Sequence, residues 1–387
     1  MDEVDISRAV PFQLDFDPLD RCDADRTIKF EQIDRVAVVT LNRAETMNAL
    51  SHDMVRRMVE WVAHCHVDRN IVALVMRGGH DGNFCAGSDM NDLYRLVMKS
   101  DAGWRQMLVD LYRLQFALRS LKKPVVALMD GVTAGSGTGL AQSSSLRVVT
   151  ERTNVSLPET RLGFLSGIGA IRSLSDMPIE VALYLGLTGK TLTGPDTMRL
   201  GLADAYAPSA SLSNFERRLK MLDLSDVRQS IRDVFISPAD PIPDSGFGQC
   251  LPLIRAHFGL HLTVEEIVES MDRALDSDVS EQERGWLRAS IDALLARSPL
   301  MLDVTREMLL RARSMSPEDC LRMEFDIAVR AIEVGDFCEG VRSILIDKDD
   351  SPVWMFRSLR DVNHAIVRKF FSPRSRAGMH PLANVCV

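Results

Sequence analysis

At 387 residues, 46% hydrophobic and 26% charged, the chain is long enough for one large or two modest domains with a substantial core. Its net charge of −8 argues against a protein that works mainly on nucleic acid, and no run of about 18 apolar residues is present to span a membrane. The seven cysteines (22, 65, 85, 250, 320, 338 and 386) are scattered and odd in number, the pattern of reduced thiols and not of a disulfide framework.

Residues 1–25 are acidic, contain two prolines and lack periodicity, which predicts an N-terminal tail; no Arg- and Ser-rich transit peptide is legible there. From Thr27 the pattern turns to strand, TIKFEQI followed by RVAVVTLN at 35–42, a hairpin by composition. Asn42 to Thr46 is a loop. Ser51 is placed to cap a helix whose Met54, Met58, Trp61 and Val62 share one face. Ile71 to Met76 reads as a buried strand. FCAGSD at 84–89 then leads into a helix over DMNDLYRLVM, and a longer helix is expected at 103–121. Strands alternating with helix-length crossovers predict a mostly parallel sheet.

A β-branched run at 124–129 next meets a loop with glycines at 131, 135, 137 and 139, followed by a second strand-like run at 146–150 and by Leu157-Pro158-Glu159-Thr160. Strand, glycine loop and helix start together form a device for holding a phosphate or a developing oxyanion. The glycines let backbone approach a ligand, and the first helical amides point outward. The spacing of the glycines is not that of a dinucleotide fingerprint, and no GxSxG elbow surrounds Ser136 or Ser166.

Beyond residue 170 helical patterns dominate, at 178–187, 195–202, 212–235, 263–276, 281–297, 299–313 and 316–334. Thr263 with Glu266, and Ser316 before Pro317, are helix-start signals. The chain divides on this reading into an α/β core at 26–210, a helical region at 211–365 and a basic tail at 366–387. Arg368, Lys369, Arg374 and Arg376 flank Phe370 and Phe371 in that tail, a mobile or docking segment and the one place suited to an acidic partner or RNA. The final residues form neither a peroxisomal tripeptide nor a prenylation box. His64-Cys65-His66 cannot converge on one ion from a helix, so no metal is expected. Cys85 and Cys338 read as small buried hydrophobes.

FCAGSD, GVTAGSGTGL at 131–140 and PET at 158–160 resemble the crotonase (enoyl-CoA hydratase/isomerase) superfamily. SPLMLDVTREML at 298–309 and the run ending GDFCEGVRSILIDKDDSPVW at 335–354 resemble its 3-hydroxyisobutyryl-CoA hydrolase branch, over roughly residues 27–363. The resemblance implies an α/β spiral of ββα repeats with an appended helical C-terminal region. It also implies that the backbone amides of Ser88 and Ser136 hold a thioester oxygen, with Glu159 as the catalytic acid/base. Arg43 and Ala44 would greet the nucleotide half of coenzyme A, and Ala86, Gly87, Asp89 and Gly135 would shape its wall. Coenzyme A enters as part of the substrate, and no cofactor is required.

Two positions depart from the family pattern. Gly167 stands where the hydrolase branch carries an aspartate, and is expected to leave room for water. Gly139 stands where hydratases carry a second glutamate. Three readings follow: an acyl-CoA thioester hydrolase of valine breakdown, a crotonase scaffold without turnover that serves a larger assembly, and, more weakly, an enoyl-CoA hydratase. The branch is mitochondrial, which implies that compartment; a homo-oligomer or larger assembly is expected, and Asp336, Glu339 and Arg342 are expected to tie down the helical region.

Overall fold

The computed structural model describes residues 27–79, 82–236, 241–374 and 379–383. The acidic tail at 1–25, Cys22, Arg376 and Cys386 lie outside the described residues. β1 (Ile28–Ile33) and β2 (Val36–Leu41) form the expected antiparallel hairpin. β2 then pairs in parallel with β3 (Ala73–Gly78), β3 with β4 (Val125–Met129), and β4 with β6 (Leu146–Val149). β9 (Ala205–Tyr206) closes the edge, giving the order β1-β2-β3-β4-β6-β9. A smaller sheet pairs β7 (Asn154–Ser156) with β5 (Val132–Ala134) and β8 (Leu192–Thr193). β4 and β6 join the large sheet, and the strands that follow them, β5 and β7, join the small one. This is the ββα spiral the sequence resembles.

β2 is buried at every position because both faces of the large sheet are covered. Ala37, Val39, Leu41, Leu74 and Met76 point to one hydrophobic cluster. Their alternates Val36, Val38, Ala73 and Val75 point to another. The helices of the first half are α1 (His52–Val67), α2 (Met90–Met98), α3 (Gly103–Ser120) and the short α4 (Ser136–Gln142). Ser51 caps α1 by accepting the Met54 N–H, and Met54, Met58, Trp61 and Val62 are buried as the spacing predicts.

α5 (Ile171–Ser175), α6 (Ile179–Thr188) and α7 (Gly194–Arg199) follow. The helix expected over 212–235 is two pieces, α8 (Phe215–Leu219) and α9 (Val227–Phe235), because Asp226 starts a fresh helix by accepting the Gln229 N–H. Phe215, Leu219, Ile231 and Phe235 cover the second face of the large sheet. α10 (Leu251–His257), α11 (Val264–Leu275), α12 (Glu281–Leu295), α13 (Pro299–Ala312), α14 (Pro317–Val334), α15 (Phe337–Val341) and α16 (His364–Phe370) complete the chain. The predicted Thr263–Glu266 capping box is formed.

The helical region wraps back over the core. Ser298 Oγ donates to the buried Asp336 at 2.5 Å, and Asp336 also accepts the Met355 N–H at 2.8 Å. Arg342 pairs with Glu339, Asp347 and Asp349. The tail docks at least through Arg374, which meets Glu333 at 2.5 Å, while Arg330 donates to the carbonyls of Phe370 and Ser372. Among the described helices none is long and apolar enough to cross a membrane.

Candidate active site

Gly135 ends β5 with φ +54 and ψ −127, a conformation open to glycine, and so turns the chain directly into α4 at Ser136. The FCAG segment runs alongside β5: Phe84 and Cys85 N–H donate to the Val132 carbonyl, and Ala134 N–H donates to the Cys85 carbonyl. Gly87 takes φ +100, and a Cβ there would lie 2.9 Å from the Ala134 carbonyl and 3.3 Å from the Ser136 nitrogen. On its other side the turn is braced by Leu50 N–H donating to the Gly87 carbonyl at 2.7 Å and by Ala86 N–H donating to Met47. The result joins two serines distant in sequence, with Ser88 Oγ and Ser136 Oγ 2.9 Å apart. Among the described residues no backbone carbonyl takes the N–H of either serine. The Ser136 nitrogen lies 3.3 Å from where a Gly87 Cβ would stand, so the two main chains meet at these serines.

Glu159 opens a single 3-10 turn (Glu159–Leu162) after Pro158 and is 2% exposed. Its Oε1 lies 3.2 Å from where a Gly135 Cβ would stand, so the carboxyl faces the residue that precedes Ser136. Oε1 accepts the Gly167 N–H at 3.2 Å, and Oε2 has no hydrogen-bond partner. Burial pushes its pKa up to about 7, against the pull of its own amide and those of Gly167 and Ile168. A carboxyl with that value takes and gives protons near neutrality.

Arg43 and Asp89 come together. Arg43 Nη1 meets Asp89 Oδ2 at 2.6 Å and donates to the Ala49 carbonyl, while Asp89 Oδ1 caps α2 by accepting the Asn91 and Asp92 N–H groups. The guanidinium expected to meet coenzyme A phosphate is thus already paired with a carboxylate. Ala44 opens the 3-10 turn beside it.

Gly167 corrects one expectation. Its φ is +77, and a Cβ there would face Ile171 Cδ1 at 3.1 Å and Leu174 Cδ1 at 3.4 Å. The space next to it is lined with methyls and is no seat for water; its contribution is the N–H given to Glu159. Gly139 is equally closed, because a Cβ would collide with the Ile168 carbonyl. No second glutamate could stand there in this backbone.

One acid escaped the sequence reading. Glu324 of α14 is 1% exposed, and its Oε2 accepts the Gly169 N–H at 2.5 Å. Its signal was a carboxylate on the apolar stripe of a helix, four residues after Cys320 and four before Ala328. Cys85 is fully buried and Cys338 half-buried; burial pushes the Cys85 thiol up to about 12 and raises that of Cys338. Among the described residues no group of three His, Cys, Asp or Glu converges to hold a metal.

Comparison with known proteins adds to this geometry. Residues 36–371 match the family described as enoyl-CoA hydratase/isomerase. The chain is 33% identical over 341 residues to the small ribosomal subunit protein mS47 of Arabidopsis thaliana, covering 87% of this chain and 82% of that one. It is 30% identical over 341 residues to the mitochondrial 3-hydroxyisobutyryl-CoA hydrolase of Gallus gallus, covering 87% and 86% respectively. The crystal structure of a carnitinyl-CoA dehydratase from Mycobacterium thermoresistibile superposes with a TM-score of 0.80 at 29% identity, over 90% of this chain and 97% of that one.

Proposed function

The chain belongs to the enoyl-CoA hydratase/isomerase family, and from that premise we propose that it hydrolyses acyl-CoA thioesters of the 3-hydroxyisobutyryl-CoA type. The observation that carries this reading is the meeting of Ser88 and Ser136 beside the buried Glu159. The thioester oxygen sits between the Ser88 and Ser136 amides. Glu159 takes a proton from water as the water oxygen bonds the carbonyl carbon, and the negative charge moves onto the oxygen held by the amides. The tetrahedral adduct collapses, the carbon–sulfur bond breaks, and the sulfur leaves with the proton from Glu159. Carboxylic acid and coenzyme A thiol are the products. A mitochondrial address is part of the proposal, after the avian hydrolase's name.

Free-thiol release from 3-hydroxyisobutyryl-CoA is the test. The unsubstituted chain releases thiol, and Glu159→Gln loses about 10²–10⁴ in rate, the usual contribution of a positioned acid/base. No release from either protein sinks the reading.

A second reading has its own support. The relative mS47 is a small ribosomal subunit protein, and Gly167 lacks the hydrolase aspartate. On this reading the chain is a scaffold without turnover that serves a larger assembly. Co-sedimentation with a ribosomal particle, with no thioester consumed, favours it; a free oligomer with full hydrolysis counts against it.

A further inference from the structure

The helical region brings a second acid to this place. Glu324 Oε2 takes the Gly169 N–H, two residues beyond the amide that holds Glu159 Oε1. Gly169 is held at its other end as well, since Arg119 Nη2 donates to its carbonyl at 2.7 Å. Glu324 Oε1, Glu159 Oε2 and Tyr112 Oη are each buried without a hydrogen-bond partner. Tyr112 lies in the field of both carboxyls, and its ring packs edge-on against Phe325, the residue after Glu324, with centroids 6.0 Å apart. The two carboxyls are thus held by amides two residues apart on one loop, and each keeps one oxygen with unused hydrogen-bonding capacity, as the Tyr112 hydroxyl does.

We propose that Glu324 is the second acid of the site, a positioning residue that shares one proton with Glu159 in the neighbourhood of the Tyr112 hydroxyl. Two carboxyls in a common low-dielectric space resist ionising together, so the pair releases its protons in coupled steps. Burial pushes Glu324 up to about 8, and the negative charge of Glu159 adds to that rise. Arg119 from α3 and the amides of Gly169 and Ile171 oppose it. Tyr112 from α3 and Cys320 on its own helix also lie within its field. With the shared proton resting on Glu324, Glu159 is left as a free carboxylate. This last consequence rests on the hydrolase reading: Glu159 gains the proton of water and returns it to the leaving sulfur, and the proton on Glu324 is not consumed.

The sharing is read without turnover by carboxyl-carbon NMR of the full chain with labelled glutamate, titrated from about pH 5 to about pH 10. Glu159 and Glu324 are expected to titrate in two coupled steps. In Glu324→Gln the Glu159 signal should move in a single step lying lower than the upper coupled step by about one pH unit. Glu159→Gln is the mirror experiment, expected to lower the Glu324 step likewise, and it keeps the proposal testable if Glu324→Gln does not fold. A Glu159 titration that Glu324→Gln leaves unchanged, or a Glu324 step indifferent to Glu159→Gln, overturns the proposal and leaves Glu324 as an anchor for the Gly169 loop. Coupled titration in a chain that cleaves no thioester leaves the shared proton standing while the hydrolase reading falls.

Discussion

Ser88 Oγ and Ser136 Oγ lie 2.9 Å apart, joining two turns 48 residues distant in sequence. The contact marks where the two main chains converge, and the proposed work belongs to their N–H groups. Ser136→Ala keeps the amide and is expected to leave thioester turnover near that of the unsubstituted chain. Ser136→Pro removes the donor at the first helical position, where proline fits, and is expected to cost about 10²–10³ in kcat. Steady-state thiol release with both variants decides between a backbone role and a side-chain role. Loss in Ser136→Ala equal to that in Ser136→Pro would assign the chemistry to the hydroxyl.

Glu159 also makes a prediction about stability. Its folded pKa is raised from 4.5 to about 7 by burial. The folded state therefore holds a proton that the unfolded chain has already released, and its share of stability is fully present below about pH 4.3. That share is lost as pH rises toward 7. Above neutrality the buried negative charge costs on the order of 3 kcal/mol. Glu159→Gln carries no such charge, so it is expected to be more stable than the unsubstituted chain at alkaline pH, with the difference shrinking in acid. Denaturant melts across the pH range check the sign; an advantage largest in acid contradicts it.

Much of this was legible because local chemistry dictates it. FCAGSD and the glycine loop fix their own turns, Ser51 and Thr263 announce their helices, and the β1–β2 hairpin shows in the composition of its two runs. β8 and β9 were not legible, since each is two residues long and is held by partners far along the chain. Arg43 could be given to a phosphate from sequence, yet its pairing with Asp89 depends on how the FCAG turn folds against the Met47–Leu50 segment. Glu324 was hidden for a similar reason. An acid on a helix reads as solvated until tertiary packing places it against Gly169.

The Arg43–Asp89 pair is mostly buried, with side-chain exposures of 19% and 7%. Asp89 has two tasks, since it also caps α2. Asp89→Ala is expected to destabilise by about 2–4 kcal/mol, combining the lost cap with a guanidinium left to the exposed Glu45 and the Ala49 carbonyl. Adding Arg43→Ala to it should cost less than Arg43→Ala alone, because the charge left behind is then gone. A double-mutant cycle by urea unfolding measures the coupling. Strict additivity would mean that the pair contributes nothing beyond its separate members.

Gly167→Asp supplies the carboxylate that the resemblance to the hydrolase branch implies there, and the structure predicts that it will not work. The glycine sits at φ +77, where an L side chain is strained, and its Cβ direction leads to the methyls of Ile171 and Leu174. Forcing a non-glycine residue into such a backbone costs on the order of 1–3 kcal/mol, and a carboxylate facing methyls pays desolvation as well. If the loop instead moves to relieve the strain, the Gly167 N–H leaves Glu159 Oε1, 3.2 Å away, and the acid loses one of the donors that orient it. Either route lowers stability or turnover. The expected outcome is a lower urea midpoint and thiol release no faster than that of the unsubstituted chain. A faster enzyme with an unchanged midpoint would mean that the 163–170 loop accepts the aspartate and that its present conformation is not fixed by packing.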